Sequence, residues 1–504
     1  MGGDVSKSRK WRPFTQIKSR LGNWTQVWVL GLAALLFLVR ISGPSTLMDK
    51  DQERPAAYVL DVLQNGNWLC PHDWTGAPTS KPPLSVWIAS LVVTAAGHAS
   101  LWALCSPGFL GIAGAAGILG IWGNRIWGNP AGLLAGILFL LSPLPIKLIA
   151  LNRTDGLFTF TVVLTAFLAW RARARGTGWI AVGIAAAAAT LTKGPLGVVL
   201  GGMGLLAGVW DRSSATSRIS RRELGVGVVL FFAITLSWLG AAVWVEGGGV
   251  LRKLFGDELV GHALDPTYGS WGRGLYLTPA YFMSRFLPWS PIAAAGLFRS
   301  WHGPHPDEAQ QRSERFLVFW LVGGLTLMAM GTHQRGDLVA PLLPPAALLA
   351  AGTIARWTQR LPRRVVHLGI ATASVVGLVA AWTSDRVQAH SRVVQRSEGM
   401  RELADSVRRS FAPGTPVVIV DAPFALQVHL NQVQPPVSYK AAAAVLVTQP
   451  GALVAVTDLQ RLRRSFPVGT SLPLQVVETW PTVGTPWVQI VQSGAVSASA
   501  RRGE

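Results

Sequence analysis

The side chains able to do chemistry concentrate between Met48 and Pro83. Asp51, Glu53 and Arg54 come first, Gly66-Asn67-Trp68 and Pro71 follow, and Lys81-Pro82-Pro83-Leu84 with Trp87 closes the stretch. A carboxylate can accept the proton of an incoming hydroxyl, and fixed cations can neutralise a departing phosphate. An acid, an arginine and a lysine beside an apolar segment therefore suit the transfer of a group from an anionic lipid. Singly, each residue would serve as a solvated loop charge; the set carries the reading.

The elements that must hold this loop are apolar. Of 504 residues, 50% are hydrophobic and 14% charged, against about 25% charged in a soluble domain. The mean hydropathy is +0.36, and 22 Trp with 18 Phe fit a polytopic membrane protein whose interfacial belts use aromatics. Two cysteines exclude a disulfide scaffold and a Cys-based zinc domain, and Cys70 and Cys105 are expected not to pair. The net charge of +20 suggests a nucleic-acid partner only until the basic residues are located. They fall in short connections: Lys7 to Arg20, Arg125, Arg171/Arg173/Arg175, Arg212 to Arg222, Arg299 to Arg315, and Arg356 to Arg364. The other connections carry acids: Asp51 to Asp73, then Asp155, then Glu246 to Asp265. That alternation is the positive-inside pattern of a multi-span protein, and no nucleic acid is implied.

Parity then orders the chain. A basic cytoplasmic N-terminus (1–23) precedes a membrane domain (24–384) with its first external loop at 42–83. With Arg125 cytoplasmic and Asp155 external, the stretch 84–98 does not cross; at about 14 apolar residues it is too short for a comfortable span and lies at the outer interface or re-enters. Crossings are expected at about 24–41, 104–122, 131–150, 156–170, 178–192, 195–210, 225–244, 278–298, 316–331, 338–353 and 365–382. The fold class is all-α and polytopic with about eleven transmembrane helices, plus a small external C-terminal α/β domain at 385–493 and a disordered tail at 494–504. In that domain a helix is expected over Met400–Phe411 and strands at Val417–Val420, Ala444–Thr448, Leu453–Thr457, Leu474–Val477 and Trp487–Val491.

The loop residues also carry a resemblance. Asp51-Gln52-Glu53-Arg54, then Asn65-Gly66-Asn67-Trp68-Leu69-Cys70-Pro71, then Ser80-Lys81-Pro82-Pro83-Leu84-Ser85-Val86-Trp87 resembles the first loop of polyprenyl-phosphate-dependent glycosyltransferases of the GT-C class. That class includes the dolichyl-phosphate-mannose protein mannosyltransferases and, closer, the bacterial aminoarabinose transferases that modify lipid A. Further anchors follow in family order: Arg153-Thr154-Asp155, Leu191-Thr192-Lys193-Gly194-Pro195, Pro288-Trp289-Ser290, and His333-Gln334-Arg335 through Pro341 and Pro344.

The resemblance implies an integral membrane enzyme of a bacterial inner membrane, acting on its external face. It would move a sugar from a polyprenyl-phosphate donor to a lipid, glycan or protein acceptor, inverting the anomeric centre. It makes Asp51 the general base and Asp155 an assistant at the sugar or an orienter of Lys81. Arg54 and Lys81 would hold the donor phosphate, with Lys193 and Arg335 as additions. The alternative reading is a transporter or flippase for a lipid or glycan, whose charges would line a path at mid-depth.

Departures from the family pattern are specific. Ser80 stands where an acid commonly precedes K-P-P, which removes a ligand for the divalent metal the resemblance allows, so no cofactor or metal site is assigned. Gln52 replaces the second acid of the first motif, leaving Glu53, with His262, as a substrate contact. Two other patterns are set aside. Gly202 to Ala207 formally spells a dinucleotide fingerprint but lies inside an apolar span, and His302 and His305 beside Asp307 and Glu308 occupy a cytoplasmic connection.

Overall fold

The computed structural model describes residues 20–45, 47–48, 50–210, 218–261, 272–303, 308–412, 415–449, 451–467, 472–481 and 487–494. The basic segment before Arg20, His262, His305, Asp307 and the tail beyond Gly494 lie outside them.

Among the described residues five helices are long and apolar enough to cross a membrane: Trp24–Ile41, Ser106–Trp127, Thr154–Arg175, Arg221–Glu246 and Arg364–Ala389. A 22-residue helix is about 33 Å long, which matches a hydrocarbon core of about 30 Å. Several expected crossings are instead short or interrupted, and the interruptions have local causes. The run 131–150 is helical over Asn129–Leu140, stops at Leu141-Ser142 before Pro143, and resumes over Pro143–Leu148, because proline cannot continue the hydrogen-bond ladder. The run 278–298 divides at Pro288 into Gly274–Arg285 and Ser290–His302. The stretch Leu84–Ala96 is a 13-residue helix ending at Gly97 (φ 80°), about 20 Å long and too short to span.

Helices approach closely through small residues, which is how apolar helices associate without a hydrophobic drive between them. A Cβ on Gly111 would lie 2.3 Å from the Gly156 carbonyl, and one on Gly156 would lie 2.9 Å from Gly108. Below this contact Trp122 packs against Phe167, Trp170, Phe316 and Trp320, with ring centroids 5.4–5.9 Å apart. Gly111→Ala is expected to cost about 1–3 kcal/mol through overpacking and to lower the detergent-solubilised melting temperature. Gly31→Ala, with nothing within 4 Å, serves as the neutral comparison; equal melting temperatures for the two variants would refute the contact.

After the long Arg363–Ala389 helix comes Arg392–Ser410, capped by the Ser391 hydroxyl. It leads to a four-stranded sheet of β1 (Val417–Ile419), β2 (Leu453–Val456), β3 (Leu474–Trp480) and β4 (Val488–Ser493). The order is β1-β2-β4-β3, with β1 and β2 parallel and the other pairs antiparallel. Ala444–Thr448, expected as a strand, belongs instead to the helix Tyr439–Thr448. Ser438 caps it by accepting from the Ala441 N–H at 3.2 Å, and four consecutive alanines favour helix over the apolar run's strand reading.

This sheet unit shares a core with the first loop. Ala56, Tyr58, Leu60 and Val86 pack in one cluster with Met400, Leu403, Phe424 and Leu426. Trp74 stacks on Phe424 at 4.4 Å. Gln64 at the end of Lys50–Asn65 donates to the Asn431 carbonyl at 2.8 Å and accepts from the Val433 N–H at 3.0 Å.

Candidate active site

Asp51 and Arg54 sit three residues apart at the start of helix Lys50–Asn65 and both line one cavity. The loop that follows is pinned by its own acids. Asp61 accepts from Asn65 (2.7 Å), Asn67 (2.9 Å) and the His72 N–H (2.8 Å). Asp73 accepts from the Thr75 and Ala77 N–H groups at 2.9 and 3.2 Å. Two indoles clamp the loop from outside: Trp87 donates to the Trp68 carbonyl at 2.7 Å and Trp238 to that of Leu69 at 3.1 Å. Lys81, ahead of two prolines, is thereby presented to the cavity on stiff backbone.

The cavity holds about 690 Å³ and is lined by Asp51, Arg54, Tyr58, Lys81, His333 and Arg335, with Lys253, Asp257 and Glu258 on another wall. Behind it runs a chain of alternating charges centred on Arg153, which is 8% exposed. Arg153 donates to Asp337 at 2.7 Å and to Asp51 at 3.1 Å, and its Nε lies 3.3 Å from Asp155. Lys147 donates to Asp337 at 2.9 Å, Lys193 to Asp155 at 2.5 Å, and Arg335 to Asp51. Four cations thus meet three carboxylates. Lys81 adds a fifth positive charge with no ion-pair partner among the described residues. Within this group the cations outnumber the carboxylates by two, an excess that an anionic ligand would complete.

Burial alone would raise the Asp51 carboxyl, but the Arg335 hydrogen bond and the charges of Arg153, Arg335 and Lys81 outweigh it and hold the group below the usual carboxylate range. Burial, aided by the charge of Lys193, pushes the Lys81 ammonium below the usual lysine range against the pull of Asp155, Glu258 and Asp51.

The sites expected from sequence divide as follows. Asp51, Arg54, Lys81 and Arg335 line the cavity. Asp155 and Lys193 form a buried pair in the charge chain behind it; the lysine nearest Asp155 is Lys193, where the sequence had suggested Lys81. Arg54 reaches Asp73 at 3.7 Å and stays half exposed. Glu53 is 7% exposed and off the cavity lining, so it is buried where a substrate contact was expected. Arg153 and Asp337 were missed in their roles. Asp337 had a signal, being the sole acid between Glu314 and Asp385. Lys147 had one too, as a charge inside an expected span.

Among the described residues no three His, Cys, Asp or Glu are disposed around an ion. Ser80 is buried and its N–H faces the Tyr58 hydroxyl at 3.4 Å, while the Asp155 oxygens face Lys193 and Arg153. The described residues do not fit a divalent ion, and no step is derived through one. The apparent fingerprint at Gly202–Ala207 is a 3₁₀ turn (Met203–Leu206) in which a Cβ on Gly204 would meet the Phe316 ring at 2.4 Å, so Gly204 serves packing, while Gly202 has nothing within 4 Å. Cys70 and Cys105 are both free and buried.

Comparison with solved structures bears on the fold. ArnT from Cupriavidus metallidurans bound to undecaprenyl phosphate superposes with a TM-score of 0.72 at 16% identity, covering 96% of this chain and 99% of that one. The chain shares the fold of that protein. The apo form of the same protein superposes with a TM-score of 0.66 at 16% identity, covering 94% and 98%. A family profile described as dolichyl-phosphate-mannose-protein mannosyltransferase matches residues 80–239. Among curated proteins, the undecaprenyl phosphate-alpha-4-amino-4-deoxy-L-arabinose arabinosyl transferase 1 of Pseudomonas fluorescens (strain Pf0-1) is 23% identical over 356 residues, 69% of this chain and 61% of that protein. The corresponding transferase of Pseudomonas aeruginosa (strain UCBPP-PA14) is 28% identical over 341 residues, 64% and 59%. The chain therefore spans about three-fifths of the length of these relatives. The loop motifs and the comparisons point to the same group of proteins, and the chain is an integral membrane protein with the fold of ArnT.

Proposed function

We propose that this protein is a GT-C glycosyltransferase that moves a sugar from a polyprenyl-phosphate donor, undecaprenyl phosphate by analogy with the named relatives, onto an acceptor hydroxyl or phosphate. The observation that carries the reading is the cavity itself: Asp51, bonded to Arg335, lines a space of about 690 Å³ together with Lys81 and Arg54, with Asp257 and Glu258 also on its lining. Donor phosphate oxygens would lie against Lys81, Arg54 and Arg335. The acceptor oxygen attacks the anomeric carbon, the bond from that carbon to the phosphate oxygen breaks, and the electron pair leaves on the lipid phosphate. Asp51 takes the acceptor proton. A single displacement inverts the centre, and a phosphate leaving group needs no acid.

Arg335 has a second part in this scheme. It is 40% exposed and bonded to Asp51, so an arriving phosphate competes for it. Drawing Arg335 off Asp51 raises the basicity of the carboxylate when donor is present. Asp155 with Lys193 and Arg153 keeps the wall behind in place. The alternation of basic and acidic connections supports placing this cavity on the external face of a bacterial inner membrane, with residues 24–384 as the transferase domain and 385–493 as an external domain. The gathering of charge at one end of the bundle favours this reading over a transporter or flippase path. Lipid, glycan and protein acceptors are all compatible with the open cavity.

The test supplies membranes containing the protein with radiolabelled polyprenyl-phosphate sugars and follows which fraction becomes labelled; no transfer from any such donor would overturn the reading. Its pH dependence is specific. Because the Lys81 ammonium titrates below the usual lysine value of about 10.4, the cation is lost as pH rises toward that value. KM for the donor should then climb on the alkaline side. Lys81→Arg keeps its charge and should move that climb to higher pH; an unmoved profile would exclude Lys81 as the phosphate ligand.

A further inference from the structure

Helices Ser106–Trp127 and Thr154–Arg175 touch at Gly111 and Gly156 near the cavity end and run side by side away from it, so that Trp122 meets Phe167 and Trp170. From Asp155 to Arg171 and Arg175 is 16–20 residues, a rise of about 24–30 Å. The two helices thus deliver Arg125, Arg171 and Arg175 to the opposite membrane face, which the charge pattern assigns to the cytoplasm. There the Arg125 and Arg171 guanidiniums lie 5.3 and 5.6 Å from the centroid of one ring, Phe167. Arg125, Arg171, Arg175 and Trp170 border a small cleft. Among the described residues no carboxylate pairs with any of the three arginines. Like charges held this close, with no counter-ion among the described residues, favour an anion beside them.

We propose that the three arginines bordering this cleft hold, across its mouth, the phosphate of an anionic membrane lipid in the leaflet opposite the catalytic cavity. Three features favour a lipid over a soluble anion. The cluster stands at the depth where a spanning helix ends, hence at the headgroup plane. Basic pockets between transmembrane helices on the cytoplasmic side suit anionic headgroups. Ile121, one turn from Arg125 toward the membrane interior, is 38% exposed and offers apolar contact to an acyl chain. Neutralising the helix C-terminal dipoles accounts for one arginine at each end and leaves the convergence of three unexplained.

The full-length protein, delipidated in neutral detergent, is titrated with dioleoyl phosphatidylglycerol or dioleoyl phosphatidylcholine, and retained lipid is counted by native mass spectrometry. Wild type should hold one phosphatidylglycerol at concentrations where phosphatidylcholine is lost. Arg125→Gln/Arg171→Gln/Arg175→Gln should bind it on the order of a hundredfold more weakly, about fivefold per arginine. Arg221→Gln/Arg222→Gln/Arg360→Gln, an equal loss of charge elsewhere in the basic connections, should bind as wild type. Equal retention by wild type and the first triple variant, equal retention of phosphatidylcholine, or equal loss in the second triple would each overturn the proposal. Millimolar inorganic phosphate that raises the melting temperature of wild type but not of the first triple, with no lipid discrimination, would overturn the lipid in favour of a soluble anion. Should the first triple fail to fold, Arg125→Gln alone, at an exposed side chain, is read: about fivefold weaker binding supports the site, and unchanged binding refutes it.

Discussion

Asp51→Asn should reduce sugar transfer by about a thousandfold, within the 10²–10⁴ range for loss of a positioned base, while the chain stays folded. The amide keeps an oxygen for the Arg153 Nη2 now 3.1 Å from Asp51, so the wall geometry survives, but it takes up no proton. The loss should appear in kcat with donor KM little changed, since Lys81 and Arg54 remain. Undiminished transfer would remove Asp51 as the base. The pH profile of wild type supplies a second readout. In the free protein Asp51 is held below the ordinary carboxylate value of about 3.9, so the acid limb of kcat/KM should lie below that value. If donor phosphate takes Arg335 away, the carboxylate regains affinity for its proton. The acid limb of kcat, which reports the bound state, should then lie above that of kcat/KM. Coincident limbs would refute the exchange of Arg335 between carboxylate and phosphate.

The largest effect on stability is expected at Arg153. Removing it as Arg153→Met leaves Asp155 and Asp337, both buried, without their shared cation. Breaking a buried ion cluster from one side costs about 3–5 kcal/mol, and the melting temperature should fall accordingly. Asp155 keeps Lys193 and Asp337 keeps Lys147, so what is lost is the shared bridge between them. Adding Asp337→Leu should cost less than it does in the wild-type background, because its Arg153 partner is already gone; the double-mutant cycle measures the coupling. A single variant as stable as wild type, or two costs that simply add, would show that the charges are not acting as one network.

Much of this architecture was legible in the sequence because it is written in short-range features. Charge alternation around apolar runs put Asp51 and Asp155 on one side of the bundle and Arg125 and Arg171 on the other. The resemblance of 51–54, 80–87 and the later anchors to a known family pointed to Asp51, Arg54, Lys81, Lys193 and Arg335. What escaped was decided by long-range contact. Arg153 lies 102 residues from Asp51 and 184 from Asp337, and nothing local tells a bridging arginine from a loop charge. Asp155 turned to Lys193, 38 residues on, because helices Thr154–Arg175 and Trp179–Lys193 pack together. Hydropathy also ran past the breaks at Pro143 and Pro288, since an apolar count does not register a missing N–H. At Ala444–Thr448 the same blindness took an alanine-rich helix for a strand.

The contact at Gln64 has a mechanical meaning. Gln64 and Asp51 are 13 residues apart on one helix, a lever of about 20 Å, and the far arm of that lever is fastened to Asn431 and Val433 of the sheet unit. A tilt of a few degrees at the fastened arm sweeps the carboxylate by about an ångström over that length. The lobe that contributes no wall to the cavity therefore calibrates where its proton acceptor stands.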